Sequence, residues 1–130
     1  MGEEPAALRR SIGIVFSDGG LLALTAVRPR DAGGHGEETV AGVLCGPDGA
    51  PVEASETLLS TEYGEDGVQR RATLELWLDD GEGQPLRGAG TLISAAEVRR
   101  EGLLAVVAFF RWALEGREGL GHYEVVRDDG

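Results

Sequence analysis

An all-β fold, an antiparallel barrel of about eight strands running mostly up-and-down, is what this sequence predicts. Three observations carry that reading. Glycine-rich turn signatures recur between short apolar runs in a chain holding 21 glycines among 130 residues, and glycine's freedom at positive φ is what tight reversals need. Several of the runs between turns alternate apolar and polar side chains with a period of two, the mark of a half-buried strand. The length provides for one hydrophobic core and leaves no room for a second of equal size.

Residues 1–10 carry no period and are expected to form a flexible arm, with at most a helical stub over Pro5–Arg10. A single barrel domain is expected over 11–127. Ser11–Phe16 reads as its first strand, turned by Ser17-Asp18-Gly19-Gly20 into a second strand, Leu21–Arg28. Pro29–Gly36 is the longest irregular piece. Glu38–Cys45 follows as a third strand, closed by Gly46-Pro47-Asp48-Gly49, and Pro51–Tyr63 is the fourth. Gly64-Glu65-Asp66-Gly67 then supplies an Asp-Gly hairpin signal ahead of Val68–Leu78, where Val68, Arg70, Ala72, Leu74, Leu76 and Leu78 share one face. Asp79–Gly83 turns the chain into a sixth strand, Pro85–Ser94, whose Gly88 and Gly90 let a closing sheet bend.

Ser94–Glu115 is ambiguous on its face. Ser94-Ala95-Ala96-Glu97 fits a capping box and predicts at most one helical turn. Beyond Gly102, however, Leu104, Val106, Ala108, Phe110, Trp112 and Leu114 form an apolar face at spacing two, whereas helical spacing would place Arg111 inside the best apolar stripe. A long strand over 103–115 is therefore expected, turned by Gly116–Gly119 into a last strand, Leu120–Arg127. Eight strands closed on themselves enclose a space that side chains fill, or that holds one small ligand.

Charge and cysteine content exclude several classes of partner. Twelve Lys and Arg against 23 Asp and Glu give a formal net charge of −11, which repels nucleic-acid phosphates and anionic membrane surfaces. The single Cys45 rules out an internal disulfide and a cysteine-based metal site. The longest apolar run, Leu103–Phe110, is far short of the ~20 residues of a helical membrane span. The start, Met1-Gly2-Glu3-Glu4-Pro5, is acidic where a secretory signal is basic, so a cytoplasmic location is expected. No phosphate-binding loop, serine-nucleophile motif or zinc motif occurs, and neither a metal nor a cofactor is expected.

Two stretches carry a resemblance. Glu62–Ala72 reads Glu-Tyr-Gly-Glu-Asp-Gly-Val-Gln-Arg-Arg-Ala, and Leu114–Glu124 reads Leu-Glu-Gly-Arg-Glu-Gly-Leu-Gly-His-Tyr-Glu. Together they resemble the C-terminal domain of bacterial lipocalin-like proteins related to AttH and to hydroxyneurosporene synthase, the carotenoid hydratase. The hairpin pattern of that group is matched from Tyr63 to Ala72, and its ending at Gly116, Arg117, Gly119, Gly121 and Glu124. Leu120, Val125 and Glu115 depart from it. The resemblance implies a lipocalin-like barrel holding a hydrophobic, isoprenoid- or polyketide-like small molecule. Cofactor-free hydration, cyclisation or isomerisation is the reaction class it leaves open. Members of the group carry two barrels in tandem, so a homodimer or a partner barrel domain is expected to cover what the second barrel would.

The residues able to serve such a role are few. Glu124 and His122 are the candidate catalytic pair, a carboxylate and an imidazole two residues apart that act together as base and orienter at a barrel mouth. On an outer surface they would instead serve structure, Glu124 pairing with an arginine such as Arg70 or Arg111. Arg70 interrupts an apolar face and could receive a ligand's carboxylate or enolate. Trp112, Phe110 and Tyr123 would line a ligand pocket or fill it. The alternative function is a non-enzymatic accessory or interaction barrel with a filled core. Trp77, on the polar face of its strand, would then mark the contact surface.

Overall fold

In the computed structural model of the chain, residues 6–29, 38–78 and 83–128 are described. They form a closed antiparallel barrel in which each of eight strands pairs with its sequence neighbours and the last pairs with the first. The strands are β1 (Ala6–Phe16), β2 (Leu21–Pro29), β3 (Thr39–Cys45), β4 (Pro51–Tyr63), β5 (Gln69–Leu78), β6 (Leu86–Arg100), β7 (Leu103–Leu114) and β8 (Arg117–Asp128). Among the described residues there is no helix, and none long and apolar enough to cross a membrane.

Two expectations are corrected at the ends of elements. Ala6–Arg10 belongs to β1 and is neither an arm nor a helical stub, because Leu8, Arg9 and Arg10 pair with both β2 and β8; residues 1–5 lie outside the described residues. The helical turn expected at Ser94–Glu97 is strand as well, since β6 continues to Arg100 along β7. A register shift between Leu92 and Ser94 interrupts the β6/β7 ladder just past Thr91, the last β6 residue paired with β5. The Asp79–Glu82 turn and His35 lie outside the described residues.

Alternation sorts the side chains. Ile12, Ile14, Phe16, Leu22, Leu24, Leu74, Leu76, Phe110, Trp112, Leu114, Tyr123 and Val125 point inward and are at most 2% exposed. At about 25 cal/mol per Å², burying such side chains is the main term favouring the fold. The aromatic centre is continuous: Phe110 stacks on Trp112 with ring centroids 5.1 Å apart and meets Tyr123 edge-on at 5.6 Å.

Glycine makes that centre possible. A Cβ on Gly90, opposite Trp112 across the β6/β7 ladder, would sit 2.7 Å from the indole Cδ2. A Cβ on Gly121 would drive into the Gly13 backbone and sit 2.7 Å from Ile14 Cα. The interior is wide enough for an indole only where the facing position carries no side chain.

The ends are tied by turn chemistry. Gly19, Gly49, Gly67, Gly102 and Gly116 take φ between 81° and 95°, the left-handed region open to glycine at little cost. Asp18 Oδ1 accepts the Gly20 N–H at 2.9 Å, and Arg117 Nε donates to Asp18 Oδ2 at 2.9 Å, joining the β1–β2 turn to the start of β8. The Arg117 guanidinium also lies 4.4 Å over the Phe16 ring. Paired this way, Asp18 is held below the usual carboxylate range, chiefly by its bond to Arg117.

Substituting Gly121 by Ala is expected to lower unfolding stability by about 2–4 kcal/mol in urea denaturation, because backbone must move. At Gly46 an added Cβ meets nothing within 4 Å and φ is not in the left-handed region, so Gly46→Ala should stay within about 0.5 kcal/mol of the parent.

Candidate functional site

The residues singled out in the sequence separate across the barrel wall. Along β8, Gly121, Tyr123 and Val125 face inward, so His122 and Glu124 between them face outward. Adjacent strand residues point to opposite faces, and a single site cannot hold Tyr123 together with that pair. The His122 ring lies over the backbone of Gly13, where a Cβ would be 2.8 Å from its Cε1. Glu124 stands beside Ser11 of β1 and Val107 of β7, half-exposed on the outer wall.

Arg70 also faces outward, and the cause is a bulge. Glu62 pairs with Arg71 and Tyr63 with Gln69, so Arg70 is the extra residue of β5. The inward face therefore passes from Ala72 to Gln69, skipping Arg70. Arg70 is exposed and bonds Asp66 Oδ2 of its own hairpin at 2.9 Å. It does not point into the barrel as a ligand's anchor. Phe110, Trp112 and Tyr123 do point inward, at 0–1% exposure, and pack on one another.

A polar cluster that the sequence reading did not anticipate sits inside one end. Arg10, only 8% exposed, donates through Nε to Glu38 Oε2 at 3.1 Å and through Nη2 to Glu38 Oε1. Its Nη1 reaches Thr61 Oγ1 at 3.3 Å and the Tyr123 hydroxyl at 3.4 Å, and those two oxygens share a further hydrogen bond. Burial works against the charge on Arg10, but the oxygens of Tyr123 and Glu38 outweigh it and raise its pKa. Burial pushes the Tyr123 phenol up to about 12, only partly opposed by Thr61 and by the Arg10 charge. Fully buried Gln69 closes the floor, its Nε2 donating to the carbonyls of Tyr123 at 2.9 Å and Val106 at 3.2 Å. The cluster fastens β1, β4, β5, β7, β8 and the residue before β3 to one another. Its oxygens already accept from Arg10, which describes a structural clamp better than a catalytic base.

The outer wall is the more unusual surface. Rows across the ladders place Leu21 beside Val15 and Val15 beside Leu120, and set Phe109 and Val107 one and two rows further along. All five are exposed, Val15 by 64% and Phe109 by 45%. A depression of about 410 Å³ lies over Val15, Leu120, Arg111 and Glu118 at one end of this wall. Trp77 is half-buried, not fully exposed. Among the described residues no group of three His, Cys, Asp or Glu side chains is placed to hold a metal ion.

No protein-family model matches the chain. No curated protein matches it significantly either.

The buried cluster has measurable consequences. Replacing Arg10 by Ala leaves Glu38 without its cation and should cost about 2 kcal/mol, less than for a fully buried pair because Glu38 keeps contact with water. Tyr123 has a folded pKa near 12 against an ordinary value of 10.0. Its contribution is therefore complete below pH 10 and is lost as the pH climbs through 12, on the order of 2 kcal/mol in all. Urea titrations between those pH values should show this fall in the parent protein and a flatter profile in Tyr123→Phe.

Proposed function

We propose that this chain is a non-enzymatic interaction barrel, whose interior serves its own stability and whose outer wall makes contact with another protein chain. The observation that carries the reading is the filled centre: Phe110, Trp112 and Tyr123 occupy the space where a ligand would lie. The exposure of Leu21, Val15, Leu120, Phe109 and Val107 on one wall adds support, because exposed apolar side chains gathered in this way mark interaction sites. His122 beside Phe109 and Glu124 beside Val107 are polar neighbours that give a contact direction and register.

The family resemblance fits this reading through the backbone. Gly67 and Gly116 take left-handed turn positions, Asp66 Oδ1 accepts the Val68 N–H at 3.1 Å, and Gly119 and Gly121 admit β1 against β8. These needs belong to a tightly wound barrel wall, whatever it binds. A second reading, an apolar ligand with a polar group held inside, has one observation in its favour. Thr57 Oγ1, Gln69 Oε1 and Trp112 Nε1 are buried without a hydrogen-bond partner, and such groups favour a polar visitor.

Native mass spectrometry of the purified protein, followed by titration with a fluorescent fatty-acid analogue, separates the two. The interaction barrel predicts the mass of the bare chain and no saturable one-to-one binding. A stoichiometric apolar adduct, or one-to-one binding lost on Ala108→Phe inside the barrel, would overturn it.

A further inference from the structure

The barrel wall is uneven, and its longest side carries an open strand edge. On the β5 side, β6 is paired only from Leu86 to Thr91. On the β7 side it stays paired to Arg100. Beyond Thr91 no strand of the described residues lies against the other edge of β6. From Ile93 to Arg100 every residue is exposed, whichever face it occupies. A strand edge of this length is a template for pairing with another chain.

The side chains on that edge specify the partner. The inner face carries Ala95, Glu97 and Arg99, opposite Ala108, Val106 and Leu104 of β7, and the outer face carries Ala96, Val98 and Arg100. Glu97 and Arg99 already face each other along the strand, at 3.9 Å. Joining two such edges in one continuous antiparallel sheet, about a two-fold axis normal to it, keeps inner residues opposite inner ones. Only registers centred on a residue satisfy this. Centring on Glu97 opposes glutamate to glutamate, and centring on Arg99 opposes arginine to arginine. Centring on Ala96 gives neither charge a counterpart. Centring on Val98 places Glu97 of each copy opposite Arg99 of the other, and Val98 against Val98.

We infer that the exposed half of β6 is a self-complementary edge that pairs antiparallel with β6 of a second copy of this chain, in the register centred on Val98. The inference rests on the interaction reading above and adds to its outer wall a second contact surface, with a second copy of the chain as the partner there. The resulting dimer is isologous, each copy giving and receiving the same contacts. Five residues from each chain, Ala96–Arg100, enter the new ladder, and the two outer apolar walls become parts of one sheet.

Sedimentation velocity across a wide concentration range tests the inference. The parent should show a monomer–dimer equilibrium. Glu97→Arg and Arg99→Glu, each of which turns two attractive cross-strand pairs into repulsive ones, should each weaken the dimer about tenfold. The double variant, with both charges exchanged, should return to within about threefold of the parent. Hydrogen exchange in the parent should show amides within 96–100 becoming protected as concentration rises. A monomer at every concentration, a dimer indifferent to the single reversals, or a double variant as weak as the singles would overturn the register and the edge. None of these results bears on whether the interior takes a ligand, so the two readings fail separately.

Discussion

The constraint on which the structure depends is the limited space inside an eight-strand ring. Once Trp112, Phe110 and Tyr123 all point inward, room for them comes from glycine at neighbouring positions, Gly90 and Gly119 beside Trp112 and Gly121 beside Phe110. Gly90 lies under the indole, and Gly119 and Gly121 bring β8 close to β1. Packing at this density leaves the inner layer little freedom to rearrange.

The buried arginine belongs to the same logic. An eight-strand barrel has two open ends, and an apolar core exposed there would be wetted. At the end bearing the β6–β7 turn the chain places Arg10, Glu38, Thr61 and Tyr123, a cluster whose donors and acceptors satisfy one another. At the opposite end the Asp18–Arg117 pair and the cation over Phe16 do similar work nearer the surface. The seam between β3 and β4, with three paired positions from Val43 to Cys45, has the fewest paired positions in the ring. The clamp reaches it through Glu38, just ahead of β3, and Thr61 of β4.

Much of this was legible in the residues, and the gaps have physical causes. The two-residue beat of β7 and the Asp-Gly and Gly-Gly turns give strand number, order and the inward set from Val106 to Leu114. The bulge at Arg70 was hidden, because alternation read on one strand cannot show which partner residue is skipped. The reach of β6 was hidden by Ser94–Glu97, where a helix-capping pattern coincides with an exposed strand that buries neither face. Arg10 carries no local signal, since what makes it important is Glu38 and Tyr123, distant along the chain. The placing of His122 and Glu124 was hidden because the outward face of that strand also carries Leu120, so apolar size does not by itself say which parity points in; once Tyr123 and Val125 are buried, their neighbours must face the other way.

The aromatic centre fills the barrel, and Trp112, buried within it, reports on it directly. With Trp77 replaced by Phe, Trp112 is the only indole left in the chain, and its accessibility to acrylamide can be read without ambiguity. A packed interior predicts blue-shifted emission and quenching far below that of a free indole. Emission near that of indole in water, with efficient quenching in the folded protein, would mean that the barrel is an open cup.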